Sequence, residues 1–351
     1  MMARVPSRTA SATLRDVARL AAVHPGTVSR ALNPETRRLV NEDTAQRVIE
    51  AAAALDYRPN PIARGLKTSR SYTIGVLVPD LTNPLFPPIV RGIQDRLEQA
   101  GYTPLIANTD NDPERERNDF EAMRARQVDG VITATARLDH GLLDEMAAAG
   151  LPIVLVNRRL EDGLLPSATA DDREGARLAV AHLAALGHAR IAHLGGPQEV
   201  STGHARYEGF VAGMAEAGLE VDPTLVHFGV AFTEPEGERL CADLVAGSTR
   251  PTAIVAGNDL MALGCYDVFA AQGIDCPVDM SVVGFNDMPF SERFSPPLTT
   301  IRIPHYEIGA AAAELLLERL QQPDMPARHV VLAPQLVVRD SSGPPLRTER
   351  S

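Results

Sequence analysis

The spacing of apolar residues changes period once along the chain. After a polar stretch over 1–12, read as a disordered N-terminus, apolar positions recur at helical spacing in three short runs. Leu14, Val17, Ala18 and Ala21 fall on one face. Thr13-Leu14-Arg15-Asp16 ahead of them has the form of a capping box, with Thr13 as N-cap. A second helix is predicted from Pro25, a residue suited to a first helical position, to Asn33-Pro34, with Val28, Ala31 and Leu32 inward. A third starts at Asn41-Glu42-Asp43 and buries Ala45, Val48, Ile49, Ala52 and Leu55. Three short helices with a tight turn between the first two predict a helix-turn-helix domain over 13–58. Arg58-Pro59-Asn60-Pro61 breaks this pattern, so 59–71 reads as a linker, either helical or loose.

From Tyr72 onward strand-like and helix-like runs alternate. Strands are predicted at Thr73–Val78, Thr103–Asn108, Gly130–Thr133, Ile153–Val156, Ile191–Leu194, Leu225–Phe228, Ala253–Ala256 and Ser281–Phe285. Amphipathic helices such as Ile89–Ala100, Pro113–Arg126, Arg173–Leu186 and Gly203–Ala217 lie between them. Alternating units imply doubly wound parallel sheets, and some eight strands are too many for one small sheet. The expected fold is an all-α helix-turn-helix domain followed by an α/β core, 72–340, of two doubly wound subdomains with a cleft between them. The first takes about 72–168 and 303–330, the second about 169–302 and 331–340. A polar, Pro-rich tail over 341–351 is expected to be disordered.

Charge sharpens this division. The net charge of −11 is unevenly spread: residues 1–70 hold 12 Arg and Lys against 6 Asp and Glu, a balance of +6, which leaves −17 for the rest. A basic head on an acidic body is the asymmetry of a nucleic-acid-binding module attached to something that does not touch nucleic acid. No run of 18 apolar residues suggests a membrane span, and the N-terminus lacks the apolar core of a secretory signal, so a cytoplasmic protein with no membrane partner is expected. Cys241, Cys265 and Cys276 have no metal-type spacing and are read as reduced packing residues. Histidines 182, 188, 193, 204, 227 and 305 are scattered. His188 and His193, five apart with no carboxylate motif, read as structural rather than as ligands, so no metal or cofactor is expected.

Several short motifs, taken in order, carry a resemblance. Thr13-Leu14-Arg15-Asp16-Val17-Ala18 through Thr27-Val28-Ser29-Arg30-Ala31-Leu32-Asn33 resembles the N-terminal signature of the LacI/GalR family of bacterial transcription regulators. Tyr57-Arg58-Pro59-Asn60 with Ala63-Arg64-Gly65-Leu66-Lys67 is similar to its hinge helix. The likeness continues through Ile74-Gly75-Val76-Leu77-Val78-Pro79, Asn83-Pro84-Leu85-Phe86, Gly187-His188, Ala256-Gly257-Asn258-Asp259 and Pro297-Leu298-Thr299-Thr300-Ile301. It covers roughly 13–340 and implies a periplasmic-binding-protein-like core and an operator-binding repressor switched by a small molecule.

For the head, the resemblance implies that Pro25, Gly26 and Arg30 sit at base-reading positions. Arg30 suits guanine O6 and N7, whereas Pro25 and Gly26 have little to donate. Thr27 and Ser29 match phosphate-contacting positions, and Thr13, Asn60, Ala63, Arg64 and Lys67 complete the DNA-binding set. His24 stands where relatives usually have a serine cap; it either merely precedes the helix or touches base or phosphate. Leu66 is implied to wedge, with its symmetry mate, into the central operator step; the alternative is packing within the linker.

For the core, the resemblance implies effector contacts from Phe86, Asn157, Thr202, Arg206, Phe232, Asn258 and Asn286, a set suited to a sugar-like or polyol-like ligand. Some of these side chains could instead cap helices or tie loops. Asn286 replaces a family aspartate, with Asp287 next to it. Val200 takes the place of an arginine that reads the base in a purine-binding relative, which disfavours purines. The expected partners are therefore double-stranded, pseudo-palindromic operator DNA, a small effector and a second copy of the chain, with no leucine heptads for a tetramer bundle. Two rival classes fit less well. An α/β enzyme lacks GxGxxG, GxxxxGK[ST] and GxSxG motifs and any catalytic constellation. A solute-binding protein of a transporter needs export and has no use for a DNA head.

Overall fold

The protein is described here by a computed structural model over residues 12–33, 36–57 and 70–346, whose contacts separate two units, Met1–Tyr72 and Thr73–Ser351. In the first unit, helices α1 (Leu14–Leu20), α2 (Pro25–Ala31) and α3 (Glu42–Ala54) enclose a small core of Val17, Ala18, Ala21, Val28, Ala31, Ala45, Val48, Ala51 and Ala52. The capping box at the start of α1 is formed: Thr13 Oγ1 accepts from the Asp16 amide at 3.3 Å, and the Asp16 carboxylate accepts from the Thr13 amide at 3.0 Å. Ile49, expected inside, is 38% exposed; Ala52 is buried as expected, and Ala51 faces inward as well. One residue is a 100° step, so Ile49 is carried to the flank of the stripe that Val48 centres. α2 stops at Ala31, two residues before the Asn33-Pro34 break.

The second unit holds two six-stranded sheets. The first runs β11-β5-β4-β3-β1-β2, all parallel, from β1 (Thr73–Val78), β2 (Thr103–Asn108), β3 (Gly130–Thr133), β4 (Ile153–Val156), β5 (Ser167–Ala170) and β11 (His329–Leu332). The second runs β12-β10-β9-β8-β6-β7, from β6 (Ile191–Gly195), β7 (Val226–Phe228), β8 (Ala253–Ala256), β9 (Ser281–Asn286), β10 (Thr299–Arg302) and β12 (Gln335–Val337), with β12 alone antiparallel. Helices α4 (Phe86–Gln99), α5 (Pro113–Ala125), α6 (Gly141–Ala148) and α11 (His305–Gln321) serve the first lobe. Helices α7 (Asp172–Ala185), α8 (Ser201–Glu216), α9 (Glu234–Ala246) and α10 (Asp259–Gln272) serve the second. α4 and α11 pack at backbone contact: a Cβ on Gly92 would sit 2.0 Å from the Tyr306 carbonyl oxygen.

Three features depart from the sequence reading. Strands β5, β10, β11 and β12 are absent from it: Ser-Ala-Thr-Ala at β5 carries no strong strand signal, whereas Thr299-Thr300-Ile301 in β10 and Val330-Val331-Leu332 in β11 do carry β-branched runs that the reading passed over. The lobe boundaries move accordingly: β5 stays in the first sheet through Ala170 and β11 through Leu332, so the chain crosses after 170, 302 and 332. The segment 341–343, expected in a disordered tail, is stitched to the second lobe. Ser341 is fully buried, its carbonyl accepting from the Val282 amide (2.8 Å) and its hydroxyl donating to the Val282 carbonyl (2.6 Å). His188 and His182 bond the Gly343 carbonyl and the Ser342 hydroxyl, each at 2.8 Å. Polar residues here satisfy an otherwise open sheet end, a use that composition does not reveal. Cys241 and Cys265 are buried in the second lobe's core. Among the described residues no helix is long and apolar enough to cross a membrane.

Candidate functional site

Two places carry candidate chemistry. In the first unit, α2 presents Arg30 outward, with Pro25, Gly26, Thr27 and Ser29 half-buried along the helix. His24 is the N-cap of this helix, and its Nδ1 accepts from the Gly26 amide at 3.1 Å. An imidazole with a free ring nitrogen thus does the work of a serine hydroxyl, satisfying one of the four amides a helix start leaves open. That bond commits the Gly26 amide and the Nδ1 face of His24. The Arg30 Nε donates to the Gly26 carbonyl at 3.2 Å, a bond that does not use its two terminal nitrogens. Thr13 spends its hydroxyl on the α1 cap. Asn60, Ala63, Arg64, Leu66 and Lys67 lie outside the described residues.

In the second unit a cleft of about 260 Å³ opens between the two sheets. Its walls come from the segments at the carboxyl ends of the strands: Pro79 after β1, Thr109 after β2, Asn157 after β4, Val230 after β7, Asn258 after β8 and Asn286 at the end of β9. Doubly wound sheets place their ligands there, because parallel strands all deliver their loops to one edge. The structure brings Phe86, Asn157, Thr202, Arg206, Phe232, Asn258 and Asn286 together on this one cleft.

Arg206 organises the second lobe's wall. It is 4% exposed and sits on α8, with its guanidinium carbon 3.8 Å from the Phe285 ring centroid and 5.4 Å from that of Phe232. Its Nε donates to Asp172 (2.8 Å), Nη1 to the Gly257 carbonyl (2.6 Å) and Nη2 to the Asn286 Oδ1 (3.3 Å). Three of five donors are thereby spent on the protein, and two remain. Burial pushes the Asp172 carboxyl above its ordinary range, and the neighbouring Arg206 pulls it back. Phe232 stands against Gly196, where a Cβ would lie 2.2 Å from its ring.

The asparagines do structural duty as well. Asn258 caps α10 through its Oδ1, which accepts from the Met261 amide at 2.9 Å, and its Nδ2 donates to the Phe232 carbonyl at 3.3 Å. Asn157 and Asn286 sit at φ +65° and +109°, backbone that asparagine tolerates better than most side chains. Asp287 does not replace the family aspartate in the cleft. It accepts from Arg302 and Arg339 at 2.7 Å each and from Ser291 at 2.8 Å. Burial raises its carboxyl, but those hydrogen bonds outweigh it and hold the pKa below the ordinary value. Val200 is buried and offers the cleft only a methyl surface.

Sequence reasoning missed five charged residues of the wall: Asp80, Glu116, Arg137, Arg158 and Glu199. Arg158 directly follows Asn157 at the end of a predicted strand, and that position was the available signal. Glu116 sits on α5, where a solvated helical face was the natural reading; instead it is 3% exposed and faces Thr135 and His140.

A basic three-helix head joined in one chain to a two-lobed core with a polar cleft defines a ligand-responsive DNA-binding regulator. Comparison with known proteins gives the family. Residues 13–60 match the model described as bacterial regulatory proteins, lacI family, and residues 180–342 match a periplasmic binding protein-like domain. The chain is 35% identical over 331 residues to the transcriptional repressor PurR of Photobacterium profundum, covering 94% of this chain and 98% of that one. It is similar to the lac repressor dimer bound to operator and the anti-inducer ONPF, with TM-score 0.82, 27% identity and 95% and 99% of the two chains covered. It is also similar to the CelR–cellobiose complex, with TM-score 0.73, 30% identity and 94% and 99% covered. The chain belongs to the LacI family of bacterial transcriptional regulators. It is accordingly an effector-controlled DNA-binding protein and not an enzyme.

Proposed function

We propose that this chain acts in the cytoplasm as a homodimer, repressing transcription from a pseudo-palindromic operator until a small hydroxyl-rich molecule in the cleft alters its grip on DNA. The observation that carries this reading is the convergence of the seven effector candidates on one cleft at the strand ends. Phe86 and Phe232 form apolar walls, Asn157, Asn258, Asn286 and Thr202 offer amide and hydroxyl partners, and Arg206 offers its two uncommitted N–H groups. In the head, Arg30 reads guanine, Thr27 and Ser29 set register on phosphates, and His24 fixes the helix start from which both act. Asn60, Ala63, Arg64 and Lys67 serve the hinge, and Leu66 supplies a wedge. Similarity to PurR does not bring a purine ligand with it, because Val200 has no donor for a base edge. The bound cellobiose of CelR supports a sugar-like frame.

The test is selection of the full chain against random duplexes, then affinity measured across salt. One two-fold-related motif should emerge, with a steep negative slope of log affinity on log salt. Arg30→Ala should relax one position of the motif. A flat slope with no enriched motif refutes the reading.

A further inference from the structure

The recognition helix α2 starts on a side chain that can change charge. His24 is its N-cap, and Nδ1 accepts from the Gly26 amide at 3.1 Å. An acceptor nitrogen carries no proton, so the neutral ring holds its proton on Nε2. Pro25 has no amide, and the Thr27 and Val28 amides reach the His24 carbonyl at 2.8 and 3.3 Å. Gly26 is therefore the one amide of the first turn that depends on a side chain. The Gly26 carbonyl accepts in turn from the Arg30 Nε at 3.2 Å, so His24 and Arg30 hold Gly26 from both sides. Gly26 lends the turn no stability of its own, since glycine is a poor helix former and a helix of seven residues is too short to stand alone. A proton on Nδ1 turns the acceptor into a donor facing another donor, and it sets a positive charge at the positive end of the helix. The cap is then lost. The surrounding charges offer the imidazolium no partner. On α2, the Arg30 Nη2 lies 3.8 Å from the point a Gly26 Cβ would take, and the His24 Nδ1 lies 3.2 Å from it. α1 carries Arg15, with Asp16 spent on the Thr13 cap and on Arg19. The 37–39 turn and α3 bring Arg38, the Arg37–Glu42 pair, Asp43, Arg47 and Glu50. Among the described residues none of these carboxylates forms an ion pair with His24.

We propose that His24 is a pH-sensitive positioning residue of the recognition helix: the neutral imidazole locks Gly26, and through it Arg30, in the geometry that reads the operator, and protonation releases them. This rests on the base-reading role given to Arg30 above and adds a control that needs no effector. Histidine changes charge between about pH 5 and 8, within the range a cell can reach. The effect falls on specific recognition. Arg30 reads a base edge only from a fixed helix start, whereas attraction to phosphates serves any duplex. An imidazolium is drawn to the phosphates of operator and random DNA alike, so that gain cancels in the ratio of the two affinities. Acidification thus lowers the preference for operator with the cleft empty or filled.

The experiment is anisotropy titration of the full chain on the operator found by selection and on a scrambled duplex of equal length, at fixed ionic strength, from about pH 8 to about pH 5.5. Wild type, His24→Ser and His24→Ala are compared. The wild-type ratio of specific to non-specific affinity should fall roughly fivefold on acidification, the worth of an N-cap. His24→Ser, whose hydroxyl accepts at every pH, should match wild type at the alkaline end and stay there. His24→Ala should sit at the acid-end level throughout. Other titrating groups are common to all three proteins, so the difference between profiles isolates His24. The ring-nitrogen resonances of isotope-labelled histidine give a direct readout, with the His24→Ser spectrum marking which signals are those of His24. At the alkaline end Nδ1 should be the unprotonated nitrogen. A wild-type profile parallel to that of His24→Ser, a ratio that rises on acidification, a proton on Nδ1 at the alkaline end, or His24→Ala keeping the wild-type ratio there overturns the proposal. A base preference that survives Arg30→Ala unchanged, with the His24 difference intact, defeats the Arg30 reading beneath it and not the cap.

Discussion

The Asp172–Arg206 pair gives the sharpest test of how the cleft is held. Both side chains are buried, joined by the 2.8 Å bond from Nε to Oδ1. Arg206→Met keeps most of the stem volume and deletes the guanidinium. It leaves Asp172 as a buried carboxylate with no counter-ion, and the Gly257 carbonyl and the Asn286 Oδ1 each lose a donor. Removing one partner of a buried pair costs about 3–5 kcal/mol, a large share of the roughly 5–15 kcal/mol that holds a domain together. Replacing both, as Arg206→Met with Asp172→Leu, removes the stranded charge and should recover at least about 2 kcal/mol of that loss.

The pH dependence has a defined sign. Burial already raises the Asp172 carboxyl, and losing Arg206 raises it further. An acid whose folded pKa lies above its unfolded one costs stability only where the unfolded carboxyl is ionised, above about pH 4, and the cost grows until the folded pKa is passed. The Arg206→Met penalty relative to wild type should therefore be smaller at pH 5 than at pH 8. Urea unfolding followed by far-ultraviolet circular dichroism measures all of these values. A double variant as unstable as the sum of the two single variants, or a penalty independent of pH, refutes the argument.

Other expectations are simpler. Burial lowers His193, packed 4.9 Å from the Phe210 ring, to about pKa 4, and lowers His305 likewise. The unfolded chain then takes up protons first, so stability should fall as pH drops from about 6.5 to 4, by up to roughly 1.4 kcal/mol per unit for His193; His193→Phe should flatten that slope in the same urea assay. His24→Ala should cost the head about 1 kcal/mol by losing the Nδ1 cap, and His24→Ser should restore it, as read from the head's unfolding transition. Leu66→Ala should weaken specific operator binding far more than non-specific binding in a competition titration; equal losses refute the wedge.

Much of this protein was legible in the amino-acid order because its local signals agree. The capping box at Thr13, the Pro25 helix start and eight strands of strong apolar character are each written in consecutive residues, and backbone geometry needs nothing more to act on them. The basic head and acidic body followed from counting charge. Tertiary structure alone decided what depends on distant partners. Small or polar segments such as 167–170 and 341–343 became a strand and a strap because the neighbouring strands offered unpaired amides and carbonyls. Asp287 turned away from the cleft because Arg302 and Arg339, 15 and 52 residues further on, hold it more strongly than solvent does. Arg158, which no local pattern marks, came to line the cleft because two lobes assembled from interleaved chain segments meet there, and that is a property of the packed whole.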